Sequence, residues 1–365
     1  MDLIQKELEF WLASLPAIGA AKAIQLLEKL ETEEAIFKAS AEELLKVPKI
    51  TEGDAEQIVR NRNVEVIKRK YEKMCQQGNR IVSIHDKEYP EKLKTIASYP
   101  YALFFRGNLP DEKKVSFAIV GARNCTSYGK EMAKWFAREL SNAGIQIISG
   151  MAYGIDSYAH CGAMQGDTDT FAVLGCGIDI CYPRENFELY TYMSNKGGII
   201  SEYGPGVPGR AFQFPMRNRI ISGLCDGILV VEAREKSGSL ITAELALEQG
   251  KDIFAVPGRI GDPLSVGSLN LIKEGAVPVL TPTDIIENFH INRIAESKRK
   301  NVASACLTAK EQVVYDCISL EEKHISIILE ESRLLMSDTM SLLLKLEARG
   351  MIRQNIKNYY TRSIL

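Results

Sequence analysis

Seven short apolar runs constrain the fold of this chain more than any other feature. Amphipathic segments separate the runs, which are SFAIVG, IQIISG, TFAVLG, GIISEY, GILVVEA, DIFAVPG and VPVL. They are continuous and do not alternate with polar residues, which indicates strands with both faces buried. The pattern predicts an α/β domain over residues 80–290, with a mainly parallel sheet covered by helices on each side. Ligands of such sheets bind at the carboxyl ends of the strands.

The segment before this domain, residues 1–75, has the sequence pattern of a small helical domain. Apolar residues recur three and four apart, which is the spacing of amphipathic helices. The sequences LPAIG and VPKIT each place a short turn before a helix. This favours a tandem helix-hairpin-helix (SAM-like) domain. Such a domain either holds a phosphate on its turns or only packs against other helices, and the sequence leaves both possibilities open.

The segment after the α/β domain divides into two parts. Residues 291–304 are polar and rich in Lys and Arg, which predicts a linker. Residues 305–365 predict three helices followed by a β-hairpin, the arrangement of a winged helix-turn-helix domain. Its third helix would lie in a major groove if the domain bound duplex DNA. Contact with another protein is the open alternative.

The composition excludes several classes of protein. No run of about 18 apolar residues is present, so we expect neither a membrane span nor contact with a membrane. The eight cysteines include no Cys-x-x-Cys pair, which predicts reduced thiols in a cytoplasmic protein, without structural zinc or disulfides. No metal or other cofactor is expected. The net charge of −2 argues against bulk attraction to duplex DNA, so a nucleic-acid site must gather its cations locally.

The sequence FAIVGARNCTSYG combines the features of an anion-binding loop. A strand ends at Val120, and Gly121 lets a ligand approach the backbone closely because it has no side chain. Thr126 or Ser127 caps the following helix, whose first N–H groups favour an anion. Arg123 adds a planar guanidinium that suits phosphate oxygens.

The loops after the other strands carry further cations and two aromatic residues. Carboxyl ends of parallel strands share one edge, so we expect these loops to form one groove, with contributions from Gly150, Arg184, Arg210, Phe212, Phe214, Arg217, Arg219, Arg234 and Lys236. Cations along a backbone, with rings for the bases, are typical of surfaces that bind single strands. Alternatively, Arg217 and Arg219 form structural ion pairs with acidic neighbours, and both phenylalanines belong to the core.

Known nucleotide motifs are absent. The sequence GCGIDI supplies two glycines of a dinucleotide fingerprint but has isoleucine where the third belongs, and no Gly-x4-Gly-Lys-Ser/Thr motif is present. Neither NAD nor a P-loop ATPase is therefore supported. His160 has no nucleophile at a suitable spacing, so we interpret it as an interior histidine.

Five blocks in this order resemble one known family: GARNCTSYG, SGMAYGIDSYAH, FPMRNRIISGL, KSGSLITAELALEQGKDIFAVPG and LIKEGA. The family is the DNA-processing protein A (DprA/Smf) family. The resemblance implies an extended Rossmann-like domain that binds single-stranded DNA without being an enzyme. It also implies dimerisation through that domain and delivery of the strand to the recombinase RecA. In competent bacteria this protects and processes incoming transforming DNA.

The resemblance also implies roles for individual residues. The family's phosphate-binding arginine falls on Arg123, within a Gly-Ser-Arg triplet that here has Ala122 in the middle. The basic residue of a Tyr-Pro-basic segment falls on Arg184, and a cation before the Phe-Pro block falls near Arg210. The complete set of predicted phosphate-binding residues is Gly121, Ala122, Arg123, Gly150, Arg184, Arg210, Arg217, Asn218 and Lys236. The predicted base-stacking residues are Phe214 and Phe212.

One enzyme class remains as an alternative. Rossmann-like nucleotide phosphoribohydrolases also use a glycine-backed phosphate site, followed by a Gly-Gly-x-Gly-Thr turn and a helix that carries a glutamate. The sequence KSGSLITAEL, with Glu244, is distantly similar. It lacks the glycine pair, and the flanking helical domains have no place in that enzyme.

Overall fold

The computed structural model describes residues 3–289, 307–319 and 321–362. The predicted linker, residues 291–304, lies outside the described residues. Within the described part of the chain, no helix has the length and apolar character needed to cross a membrane.

A nine-stranded sheet forms the centre of the α/β domain. Its strands are β1 (Arg80–Ser83), β2 (Ala102–Gly107), β3 (Ser116–Val120), β4 (Gln146–Ser149), β5 (Thr170–Leu174), β6 (Gly198–Ser201), β7 (Gly227–Val230), β8 (Asp252–Ala255) and β9 (Val277–Pro278). Strands β3 to β9 are parallel to one another. Each of the seven predicted apolar runs contains one of these strands, so the mainly parallel sheet is confirmed.

The strand order creates a crevice in the middle of the sheet. The order is β1-β2-β6-β5-β4-β3-β7-β8-β9. From β3 the chain builds outward through β4, β5 and β6, and it then returns to place β7 on the other side of β3. The two loops that leave β3 and β7 therefore diverge, and this switch point is where α/β sheets bind ligands.

Two strands were not identified from the sequence. Strands β1 and β2 pair antiparallel with each other, and β2 pairs antiparallel with β6. A connection that holds only a four-residue helix joins them, so the chain has no crossover helix and must reverse direction.

Helices cover both faces of the sheet, as the continuous apolar runs require. They are α7 (Glu91–Lys94), α8 (Ser127–Asn142), α9 (Ile155–Ala163), α10 (Phe187–Asn195), α11 (Gln213–Leu224), α12 (Gly238–Glu248), α13 (Val266–Lys273) and α14 (Pro282–Asn288). Alternate residues of β3 point to opposite layers. Phe117 and Ile119 pack with α8 and α9, whereas Ala118 and Val120 pack with α11 and α12.

The N-terminal helices pack directly on the sheet. They are α1 (Gln5–Ala13), α2 (Ala20–Leu30), α3 (Glu33–Lys38), α4 (Ala41–Leu45), α5 (Glu52–Arg60) and α6 (Val64–Gln76). The ring centroids of Phe10 and Phe104 are 6.1 Å apart, and the Tyr101 hydroxyl donates a hydrogen bond of 2.7 Å to Glu33. The two units therefore share one hydrophobic core.

The C-terminal residues form a small unit with a core of its own. Its elements are α15 (Ala309–Asp316), β10 (Lys323–His324), α16 (Ile325–Ser332), α17 (Met336–Ala348), β11 (Ile352–Ile356) and β12 (Tyr359–Arg362). Three helices followed by a hairpin agree with the expected order of elements. The unit contacts α8 through Arg353, which bonds both carboxylate oxygens of Glu131 at 2.8 Å.

Candidate nucleic-acid interface

The loop after β3 is held in place by Glu232, the second residue after β7. The backbone N–H of Ala122 donates to the Glu232 carbonyl at 2.7 Å. The Glu232 carboxylate accepts from the N–H of Thr126 at 2.9 Å, and Thr126 in turn caps α8. These bonds fix both ends of the loop, and Arg123 projects between them into solvent.

Gly121 is required by close packing at the point where the loop begins. A Cβ at this position would lie 2.6 Å from Cγ1 of Ile155 and 2.9 Å from the carbonyl oxygen of Glu232. Both distances are shorter than a carbon side chain tolerates, so the close approach of three segments depends on glycine here.

Arg123 lies between two cavities at the carboxyl edge of the sheet. The larger one, of about 350 Å³, opens between the β3 and β7 loops. The smaller one, of about 50 Å³, opens between the loops that follow β4 and β5 and the start of α11. Arg123 and Ala152 line both.

An aromatic pair borders the smaller cavity. The ring centroids of Tyr182 and Phe214 are 5.3 Å apart, and their planes are tilted by 39°. The Arg123 guanidinium lies 5.8 Å from the centroid of Phe214. Phe214 is half-buried, whereas Tyr182 is 47% exposed. Sequence reasoning missed Tyr182, although its place just before Pro183 and Arg184 was a usable signal.

Phe214 packs closely against the loop after β5, and this contact requires glycine at position 175. A Cβ on Gly175 would lie 2.8 Å from the Phe214 ring. Phe212, the other predicted stacking residue, is 61% exposed. Neither phenylalanine is a buried core residue, so both rings remain available to a ligand.

Arg217 is buried and bonds two backbone carbonyls of neighbouring strands. Its Nη1 donates to the carbonyl of Gly150 at 2.8 Å and to that of Val173. A Cβ on Gly150 would lie 2.5 Å from the same guanidinium. Burial lowers the pKa of Arg217 from its usual value. Its role as a phosphate ligand stays a prediction.

Arg219 forms the structural ion pair that the sequence allowed as an alternative. Its Nη2 contacts the two carboxylate oxygens of Glu202 at 2.6 and 2.7 Å. Both side chains are largely buried. The side chain of Arg219 therefore has a structural role in the fold.

The remaining predicted ligands lie on the same edge of the sheet. Asn218 and Lys236 line the larger cavity together with Arg123. Arg184 is exposed and follows Pro183, which lines the smaller cavity. Arg210 is exposed on the loop after β6, where its N–H donates to Gln213. The fold therefore brings Arg123, Asn218 and Lys236 to one cavity, and it places Arg184 and Arg210 after the neighbouring strands β5 and β6.

Asp156 is a buried acidic group beside these cations. It is 7% exposed and lines the larger cavity. Its Oδ2 accepts from the N–H groups of Gly150 at 3.1 Å and Ala152 at 3.4 Å. Burial raises the pKa of Asp156, and the positive charge of Arg217 opposes that shift.

His160 is an interior residue, as the sequence indicated. It is fully buried, and its Nδ1 lies 2.7 Å from the Thr170 hydroxyl. Since that hydroxyl donates to the Ile147 carbonyl, we assign the ring proton to Nδ1. Burial lowers the pKa of His160 to about 3, so the ring is neutral near pH 7 and does not face a ligand.

These features define a class of protein. It is a Rossmann-like α/β protein that presents cations and aromatic rings at the carboxyl edge of its sheet, without a dinucleotide or P-loop motif. The sequence model of the family described as DNA recombination-mediator protein A matches residues 80–290. The chain belongs to this family. A second model, described as a SAM-like helix-hairpin-helix tandem, matches residues 12–61 and confirms the predicted N-terminal domain.

Named relatives agree with this assignment. The DNA processing protein DprA of Streptococcus pneumoniae is 45% identical over 207 residues, which cover 57% of this chain and 73% of the relative. The DprA of Bacillus subtilis is 42% identical over 215 residues, 59% of this chain and 72% of the relative.

Two solved structures are also similar. That of S. pneumoniae DprA covers 79% of this chain and 98% of its own, with a TM-score of 0.68 and 35% identity. That of Helicobacter pylori DprA, described for its single-stranded DNA binding mode, covers 58% of this chain and 96% of its own, with a TM-score of 0.52 and 28% identity.

Proposed function

We propose that this chain binds single-stranded DNA without regard to sequence and delivers it to a RecA recombinase during transformation or recombination. The observation that carries the proposal is the position of Arg123, a solvent-exposed cation next to the accessible ring of Phe214. A cation holds a phosphate, and a ring stacks on a base whatever its identity. The single-strand binding mode ascribed to H. pylori DprA supports this reading.

Local charge makes such binding compatible with a net charge of −2. Arg123, Arg184, Arg210 and Lys236 are exposed after strands of the parallel sheet, and Arg184 begins a short 3-10 helix. In the described part of the chain, none of these four takes part in an ion pair. Cations without an acidic partner are free to replace the counterions of a strand.

Delivery to RecA, dimerisation and a non-enzymatic role rest chiefly on family membership.

The structure gives less support for contacts between DNA and the two terminal domains. In the N-terminal domain, Lys22 is paired with Asp54 at 2.7 Å. In the C-terminal domain, which we interpret as a winged helix, the exposed residues of α17 include Met336, Met340 and Leu344. Exposed apolar side chains one turn apart favour contact with another protein for this face of the helix.

The phosphoribohydrolase alternative has less support. Glu244, the residue that resembles its catalytic glutamate, is exposed and does not line the larger cavity. Incubation with nucleoside monophosphates checks this point, since release of free base would favour the enzyme.

Titration of the full chain with oligothymidine and with mixed-sequence oligonucleotides tests the proposal. We expect similar affinities for both and a steep salt dependence. A second experiment measures RecA filament formation on a strand coated with single-strand-binding protein, with and without this chain. Absence of strand binding would refute the proposal, and strand binding without stimulation of RecA would refute the delivery step.

A further inference from the structure

Two acidic residues of the C-terminal unit lie at the edge of the sheet that we assign to the strand. Glu321 forms an ion pair with Arg259, which is on the loop after β8. Glu322 accepts a hydrogen bond of 3.1 Å from the hydroxyl of Ser127, in the first turn of α8. Strands β3 and β8 flank β7 in the sheet. This acidic pair, Glu321 and Glu322, therefore contacts the elements that follow two parallel strands, one on each side of β7.

The acidic pair lies where we expect the phosphates of a strand. Ser127 is four residues after Arg123, and its helix begins at the end of the predicted phosphate-binding loop. The first turn of a helix favours a negative charge. The carboxylate of Glu322 supplies that charge from within the chain, and it repels a phosphate that approaches the same turn. Glu321 likewise neutralises Arg259, a cation at this edge that a strand could otherwise use.

A third contact holds the C-terminal unit one turn further along α8. Arg353 of β11 bonds both carboxylate oxygens of Glu131 at 2.8 Å. This paired geometry makes it the best-defined contact between the unit and the α/β domain. It lies beside the predicted phosphate-binding loop but contains none of the predicted DNA ligands. The pair can therefore be altered without changing the strand site itself.

The contact between the unit and the α/β domain is polar and exposed. The side chains of Arg259 and Glu321 are 76% and 61% exposed. Among the described residues, each hydrophobic cluster belongs either to the C-terminal unit or to the rest of the chain, and none includes side chains from both. Exposed ion pairs stabilise a contact only weakly. A strand that offers several phosphates can therefore displace the unit.

We propose that this contact is an autoinhibitory latch, in which the acidic pair competes with strand phosphates for the carboxyl edge of the sheet. The inference rests on the proposed function, because it assumes that a strand binds at this edge. A docked and an open arrangement are in equilibrium, and the docked one lowers the apparent strand affinity by reducing the fraction of protein that is ready to bind. By linkage, strand binding favours the open arrangement to the same extent.

Charge reversal at the Arg353–Glu131 pair tests the latch in the full chain. Arg353→Glu and Glu131→Arg each break the contact, and each should raise the affinity for oligothymidine by roughly three- to ten-fold, the effect of opening a latch held by a few exposed ion pairs. The two changes alter the net charge in opposite directions, so a general charge effect cannot produce both gains. The double variant restores an ion pair of reversed polarity and should bind like the parent.

A second pair of variants tests the acidic pair directly. Glu322→Gln keeps the size of the side chain and removes its charge, so it should raise oligothymidine affinity by roughly two- to five-fold. Glu330→Gln is the matched control, because Glu330 is exposed on α16 of the same unit and the change removes the same charge. Equal affinities for these two variants would contradict competition by Glu322.

Small-angle X-ray scattering measures docking without any strand. Both single charge-reversal variants should have a larger radius of gyration than the parent at equal molecular mass, and the double variant should match the parent. Saturating oligothymidine should expand the parent in the same way. Thermal unfolding checks that each variant is folded.

The outcomes separate the latch from the proposed function. Strand binding by the parent with no gain in either single charge-reversal variant overturns the latch and leaves the proposed function intact. Binding by the single variants but not by the parent supports a firmly closed latch. Absence of binding in the parent and in every variant refutes both.

Discussion

The guanidinium carbon of Arg123 lies 5.8 Å from the centroid of the Phe214 ring. The two residues are distant in sequence and come from the loop after β3 and the first turn of α11. They meet because parallel strands deliver their loops to one edge. A cation and a ring at this separation offer a phosphate contact and a stacking surface to the same short stretch of a strand.

Arg123→Ala should weaken binding to all single strands by a similar factor. Under the proposed function the guanidinium that this change removes contacts phosphate, which is common to every sequence. The slope of log affinity against log salt should become shallower by about 0.7 for each phosphate that the protein no longer neutralises. Fluorescence anisotropy at several salt concentrations measures both effects. Arg69→Ala, at an exposed position on α6, is the matched control, and equal affinities for the two variants would show that the assignment of Arg123 is wrong.

Phe214→Ala should weaken binding by about 1–3 kcal/mol, the contribution of a stacked base. The salt slope should stay that of the parent because no charge is removed. Phe212→Ala provides a comparison, since this ring is 61% exposed and is not paired with Tyr182. We expect a smaller effect there, and a changed slope in the Phe214 variant would instead indicate a displaced loop.

Gly121→Ala should destabilise the fold and weaken strand binding together. Its new methyl group would overlap Ile155 and the Glu232 carbonyl, a type of overpacking that costs about 1–3 kcal/mol. Gly53→Ala in α5 is the control, because the nearest atom to its Cβ would be 3.9 Å away. That change should be neutral or stabilising by up to about 1 kcal/mol. Urea denaturation compares the two, and similar midpoints would contradict the proposed packing.

His160 should make the protein less stable as the pH falls below about 6.5. In the unfolded chain its pKa is near 6.5, whereas burial lowers the folded-state pKa to about 3. Between these values the unfolded chain binds one more proton than the native state, so stability decreases on acidification. The contribution is about 2 kcal/mol at pH 5.

The variant His160→Gln isolates this effect, because it keeps a polar side chain and removes the titration. The free energy of unfolding of the variant should depend less steeply on pH between 6.5 and 5. Asp156 contributes in the opposite direction wherever its raised pKa leaves it protonated in the native state, but it is common to both proteins. Parallel pH profiles for the variant and the parent would show that His160 is not buried as described.

The apolar runs were sufficient to predict the parallel strands. Residues 117–120 form a continuous apolar run, which predicts a strand with both faces buried. Gly121 marks the end of this strand. Strands β1 and β2 were missed although β2 is six residues long, because the antiparallel pairing of β2 with β6, which lies about a hundred residues later, has no local signal in the sequence.

The different roles of Arg217 and Arg219 could not be predicted from the sequence. Arg217 and Arg219 are two residues apart on α11, and each binds different partners. Arg217 bonds the carbonyls at the ends of β4 and β5, whereas Arg219 pairs with Glu202. Local sequence does not distinguish them, because their partners are set by which strands are neighbours.

The sequence by itself determined the class of fold, the helical flanking domains and the family, since hydrophobic periodicity and the glycine-backed loops are local properties. Only the tertiary structure decided that the β3 and β7 loops enclose a cavity, that Tyr182 stands beside Phe214, and that Asp156 is buried among cations. These relationships depend on strand order, and strand order is fixed by packing between segments that are far apart along the chain.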